Sequence, residues 1–336
     1  MPTPKRISVV LPFYNAEATL ERAISSIALQ DYPNFECILV DNNSTDKGAD
    51  VARAWCEADR RFRFCREERQ GVMFASNRAC EEAQGAYLAR MDADDRAHPS
   101  RLSLQAAFLD HHPDYGAVAG RARHVGNPKT TAGFSRFVDW SNSLLSYEDI
   151  YNRRFIEAPI INPTAMWRRE LMESHGLYRH GDFPEDYEMW LRWLDAGVRI
   201  GKVPEVVLDW HDSAGRLTRT NERYSDQAFY RIKSRYLAHW LRQYNPHPDD
   251  TWVWGASRIS RRRARMLEKE GVRIAGYIDT KETRQLEASL MHYSQLPTAG
   301  RLFVLSYIRQ MDNRDRIRSF LAERGYREGC NYLMVS

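Results

Sequence analysis

The chain lacks several features that would define its class at once. No apolar run approaches the ~18 residues needed to cross a bilayer, which sets aside an integral membrane protein. Met1-Pro2-Thr3-Pro4-Lys5-Arg6 leads directly into Ile7-Ser8-Val9-Val10-Leu11, an apolar stretch too short for a signal-peptide core, so it reads as a strand. The five cysteines (Cys37, Cys56, Cys65, Cys80, Cys330) are odd in number and scattered, with no C-x-x-C pair. That spacing suggests neither a disulfide framework nor a zinc site and fits a reduced, cytoplasmic chain best. Internal repeats and low-complexity tracts are missing too, and residues 12–22 contain no glycine and one basic residue, Arg22.

What remains is an ordinary globular composition, 43% hydrophobic and 28% charged over 336 residues. At about 100–200 residues per domain, two domains are expected. The net charge of +4 is modest, but Arg258, Arg261, Arg262, Arg263 and Arg265 cluster, as do Arg216, Arg219 and Arg223. Basic clusters attract phosphates, nucleic acid or anionic membranes. For the first cluster a solvated helix face is the simpler reading, and no nucleic-acid partner is expected.

The first third alternates short strands with helices. Ile7–Leu11 has the continuous apolar character of a strand buried on both faces. Asn15 then offers an N-cap, and Leu20, Ala23, Ile24 and Ile27 recur at helical spacing. Phe35–Val40 is a second strand and Ala49, Val51, Ala52 and Trp55 a second helix. A weaker strand over 61–65, a helix over 73–83 and a strand over 86–91 follow. The β-α-β order calls for a parallel sheet with helices on both faces. Ligands gather beyond the carboxyl ends of such strands. Three groups fall there: Pro12-Phe13-Tyr14, Asp41 to Asp46, and Asp92-Ala93-Asp94-Asp95.

The acidic turn carries the most chemistry. Mg²⁺ or Mn²⁺ takes oxygen ligands, often one or two carboxylates completed by phosphate and water. Carboxylates on a tight turn at a strand end supply these without enclosing the ion; capping of the next helix is the plainer alternative. Asp94 and Asp95 are candidate metal ligands, and Asp92 serves either the ion or a ribose. Asp41 is placed to accept hydrogen bonds from a base or ribose, or else to stabilise its own turn. In Phe183-Pro184-Glu185-Asp186-Tyr187-Glu188-Met189-Trp190, Asp186 is the expected general base and Glu185 its rival. Tyr187 and Trp190 are expected to wall an acceptor.

Together these segments resemble family 2 of the inverting glycosyltransferases, which have the GT-A fold. The resemblance covers about residues 5–220. Val9 to Asn15 is similar to the family's opening strand and nucleotide-contact turn, which implies donor contacts from Pro12 and Tyr14. Val40 to Asp46 is similar to its second signature, whose first Asp contacts the base, and Asp92 to Asp95 to its metal and diphosphate turn. Ile161 to Arg169 resembles the acceptor-side segment, and Glu185-Asp186 the general-base pair. His211-Asp212-Ser213 through Arg219 resembles the late loop over the diphosphate, which implies His211 near the metal and Arg216 near the diphosphate or acceptor. The implied fold is α/β, a GT-A nucleotide-sugar-binding fold with a mixed, mainly parallel sheet. The implied reaction moves a sugar from a nucleotide-diphosphate donor, UDP-linked by expectation, to a hydroxyl of a glycan or lipid-linked acceptor, with Mn²⁺ or Mg²⁺.

Asn245-Pro246-His247-Pro248-Asp249-Asp250 breaks the chain. The expected organisation is a GT-A domain over 1–220, a helical linker over 221–248 and a small Rossmann-like α/β domain over 249–336. Val253 to Arg258, with Asp279 beyond it, is similar to a nucleotide-binding half. Ser257 and Ser260 or Arg261 stand where glycines would admit a pyrophosphate. That argues for a degenerate domain used in packing, self-association or acceptor delivery. The helix from Asn221 to Tyr244 is expected to bury Phe229, Ile232, Tyr236, Trp240 and Tyr244. Its alternative is an interfacial helix with Arg231, Lys233, Arg235 and Arg242 towards anionic headgroups, giving peripheral contact at the inner face of a membrane. A nucleotidyltransferase is disfavoured by the lack of a Gly- and Lys-rich loop after the first strand. A silent nucleotide-sugar-binding scaffold is the third reading.

Overall fold

The computed structural model describes residues 5–212, 216–281 and 289–336. The chain forms two compact units, Met1–Ile150 with Ile160–Asn221, and Tyr151–Pro159 with Glu222–Ser336.

The first unit is built on one eight-stranded sheet. Its strands are β1 (Ile7–Phe13), β2 (Phe35–Asp41), β3 (Phe62–Arg66), β4 (Tyr87–Arg90), β5 (Arg96–Ala97), β6 (Tyr115–Val125), β7 (Met166–Arg168) and β8 (Arg199–His211). They lie in the order β3-β2-β1-β4-β7-β6-β8-β5. β1 runs parallel to β2 and β4, β2 to β3, and β6 to β8. β7 is antiparallel to both neighbours, and β5 to β8. Helices Leu20–Ala28, Gly48–Ala58 and Val72–Glu82 make the crossovers of the parallel half, as the sequence pattern expects.

β1 and β2 are buried along their whole length. β1 runs two residues past its expected end, so Pro12 and Phe13 lie inside it opposite Val40 and Asp41. Proline fits because β1 pairs with β4 only as far as Val10 and Arg90. Pro12 shares the side of Val10, whose carbonyl bonds the Met91 N–H, and β4 has already turned away, so no ladder bond is lost. At the other end of β4, a Cβ on Gly85 would lie 2.6 Å from the Ser8 nitrogen. Glycine lets β4 enter close beside β1, which sets where its far end delivers the acidic turn.

Helix Glu185–Asp195 is buried along most of its length and stops at Gly197 (φ 84°). Trp190 is fully buried, with its ring 6.2 Å from Trp167 and 5.4 Å from Trp193, both edge-on. The expected acceptor wall of Tyr187 and Trp190 is therefore not a surface: both side chains are 0% exposed. Period 3.6 places them on the face that a buried helix turns to the sheet.

The second unit holds β9 (Thr251–Trp254), β10 (Gly276–Asp279), β11 (Ser289–His292), β12 (Phe303–Ser306) and β13 (Tyr332–Met334). All are parallel, in the Rossmann-like order β11-β10-β9-β12-β13. Asp279, which would face a ribose in a dinucleotide site, accepts the Ala256 N–H at 2.8 Å. Ser257 and Ser260 hydroxyls meet at 3.0 Å in the loop where glycines would open a path. The helix expected as a linker, Asp226–Tyr244, belongs to this unit. Of the expected stripe, Ile232 and Trp240 are buried, Phe229 and Tyr236 half-buried and Tyr244 54% exposed, and the buried face extends to Tyr230, Lys233 and Leu237. Lys233 thus faces no headgroup. Its ammonium donates to Ile156 O at 2.9 Å and Val335 O at 3.3 Å, and burial pushes its pKa down to about 7. Among the described residues, no helix is long and apolar enough to cross a membrane.

Trp190→Ala is expected to cost about 3–5 kcal/mol, as buried aromatic truncations do. Urea melts check this. Loss of activity with unchanged stability would return Trp190 to the surface role that its burial denies.

Candidate active site

β4 ends at Arg90, and the chain turns through Met91 to Asp95 with the Asp95 N–H on Asp92 O at 3.3 Å. Asp92, Asp94 and Asp95 each place a carboxylate oxygen within 4.8 Å of the others. Three carboxylates so close repel one another when ionised. Asp94 is pushed above the usual carboxylate range by burial and by Asp92, against the charges of Arg216 and Arg22. Asp95 is pushed further up by burial and both neighbours. Its Oδ1 accepts the His211 N–H at 2.8 Å, and its buried Oδ2 has no hydrogen-bond partner among the described residues. An all-oxygen cluster with one oxygen left over has the composition that Mg²⁺ or Mn²⁺ prefers.

Cations hold the turn from beneath. Arg90, 3% exposed, grips Asp92 Oδ1 through Nε (2.9 Å) and Nη2 (2.7 Å), and reaches Ser76 Oγ. Burial alone would lower its pKa, but the Asp92 charge, Tyr178 and the hydrogen bond to Asp92 together outweigh this and the net shift is upward. Arg101 is fully buried and donates to Arg90 O at 2.6 Å and Ala165 O at 3.3 Å, with burial pulling its pKa down to about 10. Arg22 donates to Asp94 O from helix Leu20–Ala28. Arg216 stacks on Trp210 at 3.8 Å and donates to His211 O at 3.0 Å. Sequence reasoning assigned no site role to Arg22, Arg90 or Arg101. Arg90 lies in the strand expected over 86–91, next to the acidic turn, but nothing in a linear pattern marks Arg101, whose partners Arg90 O and Ala165 O lie elsewhere in the chain.

His211 joins this group through its main chain. Its ring Nδ1 faces Asp209 O at 3.2 Å, and burial followed by the charge of Arg22 lowers its pKa. The ring is not one of the three clustered ligand groups. Residues 213–215 of the expected late loop, Ser213 included, lie outside the described residues.

Asp186 stands in the first turn of helix Glu185–Asp195 and accepts the Tyr187 N–H at 2.7 Å. Its pKa is pushed up to about 7, chiefly by burial, then by Glu185, with Asp92 adding and Arg90 opposing. Those last two influences tie it electrostatically to the acidic turn. Tyr178 feels both Arg90 and Asp186: its ring faces the Arg90 guanidinium at 5.9 Å, and its hydroxyl donates to Asn162 Oδ1 at 3.2 Å. Arg192, bonded to buried Glu188, fixes the approach to Tyr178 by donating to Gly176 O and Leu177 O. Glu185 is 5% exposed.

On the other side of β1, Asp41 is 3% exposed and its Oδ1 accepts the Ser44 N–H at 2.9 Å. The β1 and β2 loops are laced together: Asn15 Oδ1 accepts the Thr45 N–H, and Asp46 Oδ2 the Glu17 N–H, both at 2.8 Å. Asn15 (φ 47°) and Asn43 (φ 64°) adopt the left-handed turn conformations that asparagine tolerates. Tyr14 is left 52% exposed at the sheet edge.

The family model for glycosyl transferase family 2 matches residues 8–176, about half of the chain and all of the elements carrying the acidic turn. The chain belongs to glycosyl transferase family 2. An uncharacterized protein of Sinorhizobium fredii, y4gI, is 31% identical over 69% of this chain, but that alignment spans only 25% of its own length. Putative glycosyltransferase EpsE of Bacillus subtilis is 28% identical over 66% of this chain and 78% of its own. Among solved structures, S. aureus TarS 1-349 in complex with UDP-GlcNAc superposes with a TM-score of 0.54 at 20% identity, covering 79% of this chain and 71% of that one. Mannosyltransferase PcManGT from Pyrobaculum calidifontis in complex with GDP-Man and Mn²⁺ gives 0.50 at 22%, covering 72% and 65%. At those identities the structural likeness establishes the fold, the GT-A fold that the sequence implied.

Asp186 yields a stability test. The fold favours its protonated form, so folding stability falls as pH rises from 3.8 to about 7 and is level above that. Asp186→Asn is expected to melt higher than the parent at pH 8, with the gain vanishing near pH 4. An equal melting temperature at pH 8 would mean that the carboxyl is not strained.

Proposed function

We propose that the chain is a metal-dependent, inverting glycosyltransferase that moves a sugar from a nucleotide-diphosphate donor, UDP-linked in the first instance, to a hydroxyl of a glycan or lipid-linked acceptor. The observation that carries this reading is the pairing of two unlike acid sites: three clustered carboxylates at the end of β4, and one part-buried carboxyl, Asp186, with its pKa near 7. Family membership and neighbours solved with UDP-GlcNAc, or with GDP-Man and Mn²⁺, agree with it.

Asp94 and Asp95 would hold the cation, with Asp92 beside them braced by Arg90. When bound, Mn²⁺ or Mg²⁺ neutralises charge that develops on a departing diphosphate. Asp41 and the exposed Tyr14 frame the nucleoside, with Pro12 shaping the end of β1 between them. Arg216, reaching over Trp210, supplies positive charge on the other side of the turn. Asp186 takes the proton of the acceptor hydroxyl as that oxygen attacks the anomeric carbon, and the diphosphate leaves from the opposite face. A carboxyl with a pKa near 7 is a stronger base than an ordinary aspartate and is still half ionised at neutral pH. His211 acts through its N–H on Asp95. Trp190 acts behind the site, as packing for the helix that carries Asp186.

Two variants separate the sites. Asp94→Asn should remove Mn²⁺-dependent nucleoside-diphosphate binding and leave the fold intact, read by calorimetry and circular dichroism. Asp186→Asn should lower kcat by about 10²–10⁴ with donor affinity spared. Because the base must be ionised, kcat/KM of the parent should fall as pH drops below about 7. If Glu185→Gln is inactive while Asp186→Asn turns over normally, the base is Glu185.

A further inference from the structure

The carboxyl ends of β6 and β8 carry a feature that the donor chemistry does not use. Val125 and His211 are register partners there, and the Asp212 N–H donates to Val125 O at 2.8 Å. Beside this end a cavity of about 410 Å³ is lined by His124, Gly126, Ala132, Ser135 and Arg136. That volume falls within the about 300–1,000 Å³ usual for small-ligand pockets. The cavity shares a sheet edge with the acidic turn, because His211, which closes β8, is the residue whose N–H holds Asp95.

Several observations mark it as built for a polar ligand. Among the described residues, His124 Nε2 in the lining and Asp212 Oδ1 behind it are buried without a hydrogen-bond partner, and the Asp212 side chain is only 5% exposed. The other Asp212 oxygen accepts Arg219 Nη2 at 2.7 Å, so its charge is already matched. Arg136 therefore adds an exposed positive charge to the lining that this pair does not offset. Behind the lining the Trp210 ring lies 6.0 Å from His124 and 5.8 Å from Phe134, an apolar backing for a ring-shaped ligand. Gly126 keeps the space open, since a Cβ there would lie 2.9 Å from the His124 ring and 3.0 Å from Asp212 Cβ.

We propose that this cavity is an acceptor subsite for an acidic sugar residue. Arg136 takes the sugar carboxylate, as a guanidinium fork suits. His124 and Ser135 take ring hydroxyls. This rests on the glycosyltransferase reading above and specifies the acceptor for it.

The test uses the full chain. Binding of oligogalacturonate is compared with that of a neutral malto-oligosaccharide of equal length, by calorimetry. Donor hydrolysis is measured in parallel, as an independent readout of the transferase assignment. Oligogalacturonate should bind at least about tenfold more tightly than the neutral chain. Arg136→Ala should erase that preference and Arg136→Lys restore part of it, while donor hydrolysis stays at the parental rate in both. Equal binding of the two chains, no binding of either, or an unchanged preference in Arg136→Ala overturns the subsite. Loss of donor hydrolysis in the parent itself, with oligogalacturonate still bound, would instead count against the transferase assignment.

Discussion

Mutual repulsion among Asp92, Asp94 and Asp95 is the constraint around which the first unit is arranged. Three carboxylates within 4.8 Å of one another, one of them fully buried, are costly unless positive charge is supplied. The fold supplies part of it from inside: Arg90 on Asp92, Arg101 beneath the Arg90 carbonyl, and Arg22 on the Asp94 carbonyl. On the proposed reading a cation supplies the remainder, and Asp95 Oδ2, without a hydrogen-bond partner among the described residues, is the atom it would serve first. Gly85 belongs to the same arrangement, because the close approach of β4 to β1 fixes where the turn emerges.

Asp186 is set to a different protonation state by the same means. It shares the field of Arg90 and Asp92, but burial and then Glu185 dominate and its carboxyl is held near 7. The precision of that placement comes from packing. Trp167, Trp190 and Trp193 fill the space behind the helix with edge-on rings, and Arg192 ties its buried side to the segment before Tyr178. Environment thus sets neighbouring acids apart, a mutually repelling cluster and a single carboxyl held near 7, to which the proposed reading gives the metal and base roles.

Much of this was legible in the sequence where information is local. Continuous apolar runs gave β1 and β2, and the strand-end positions of Asp41 and Asp92–Asp95 followed from β-α-β order alone. The facing of aromatic residues was not legible, because a tryptophan that walls a site and one that fills a core have the same spacing; Trp190 is of the second kind. Lys233 was misplaced for a related reason: lysine suggests an exposed face, and only the carbonyls of Ile156 and Val335, distant in sequence, explain its burial. Arg101 and the short strands β11 and β13 were missed because each is defined by partners far along the chain.

The most direct test of the account is a calorimetric Mn²⁺ titration in the presence of UDP, repeated at pH 5 and pH 8 in buffers of different ionisation enthalpy. Asp94 and Asp95 hold protons above the usual carboxylate range, so a cation that binds there must displace them. Saturable one-site binding is expected, with more protons released at pH 5 than at pH 8. Absence of saturable binding, or binding with no proton release at either pH, would contradict it.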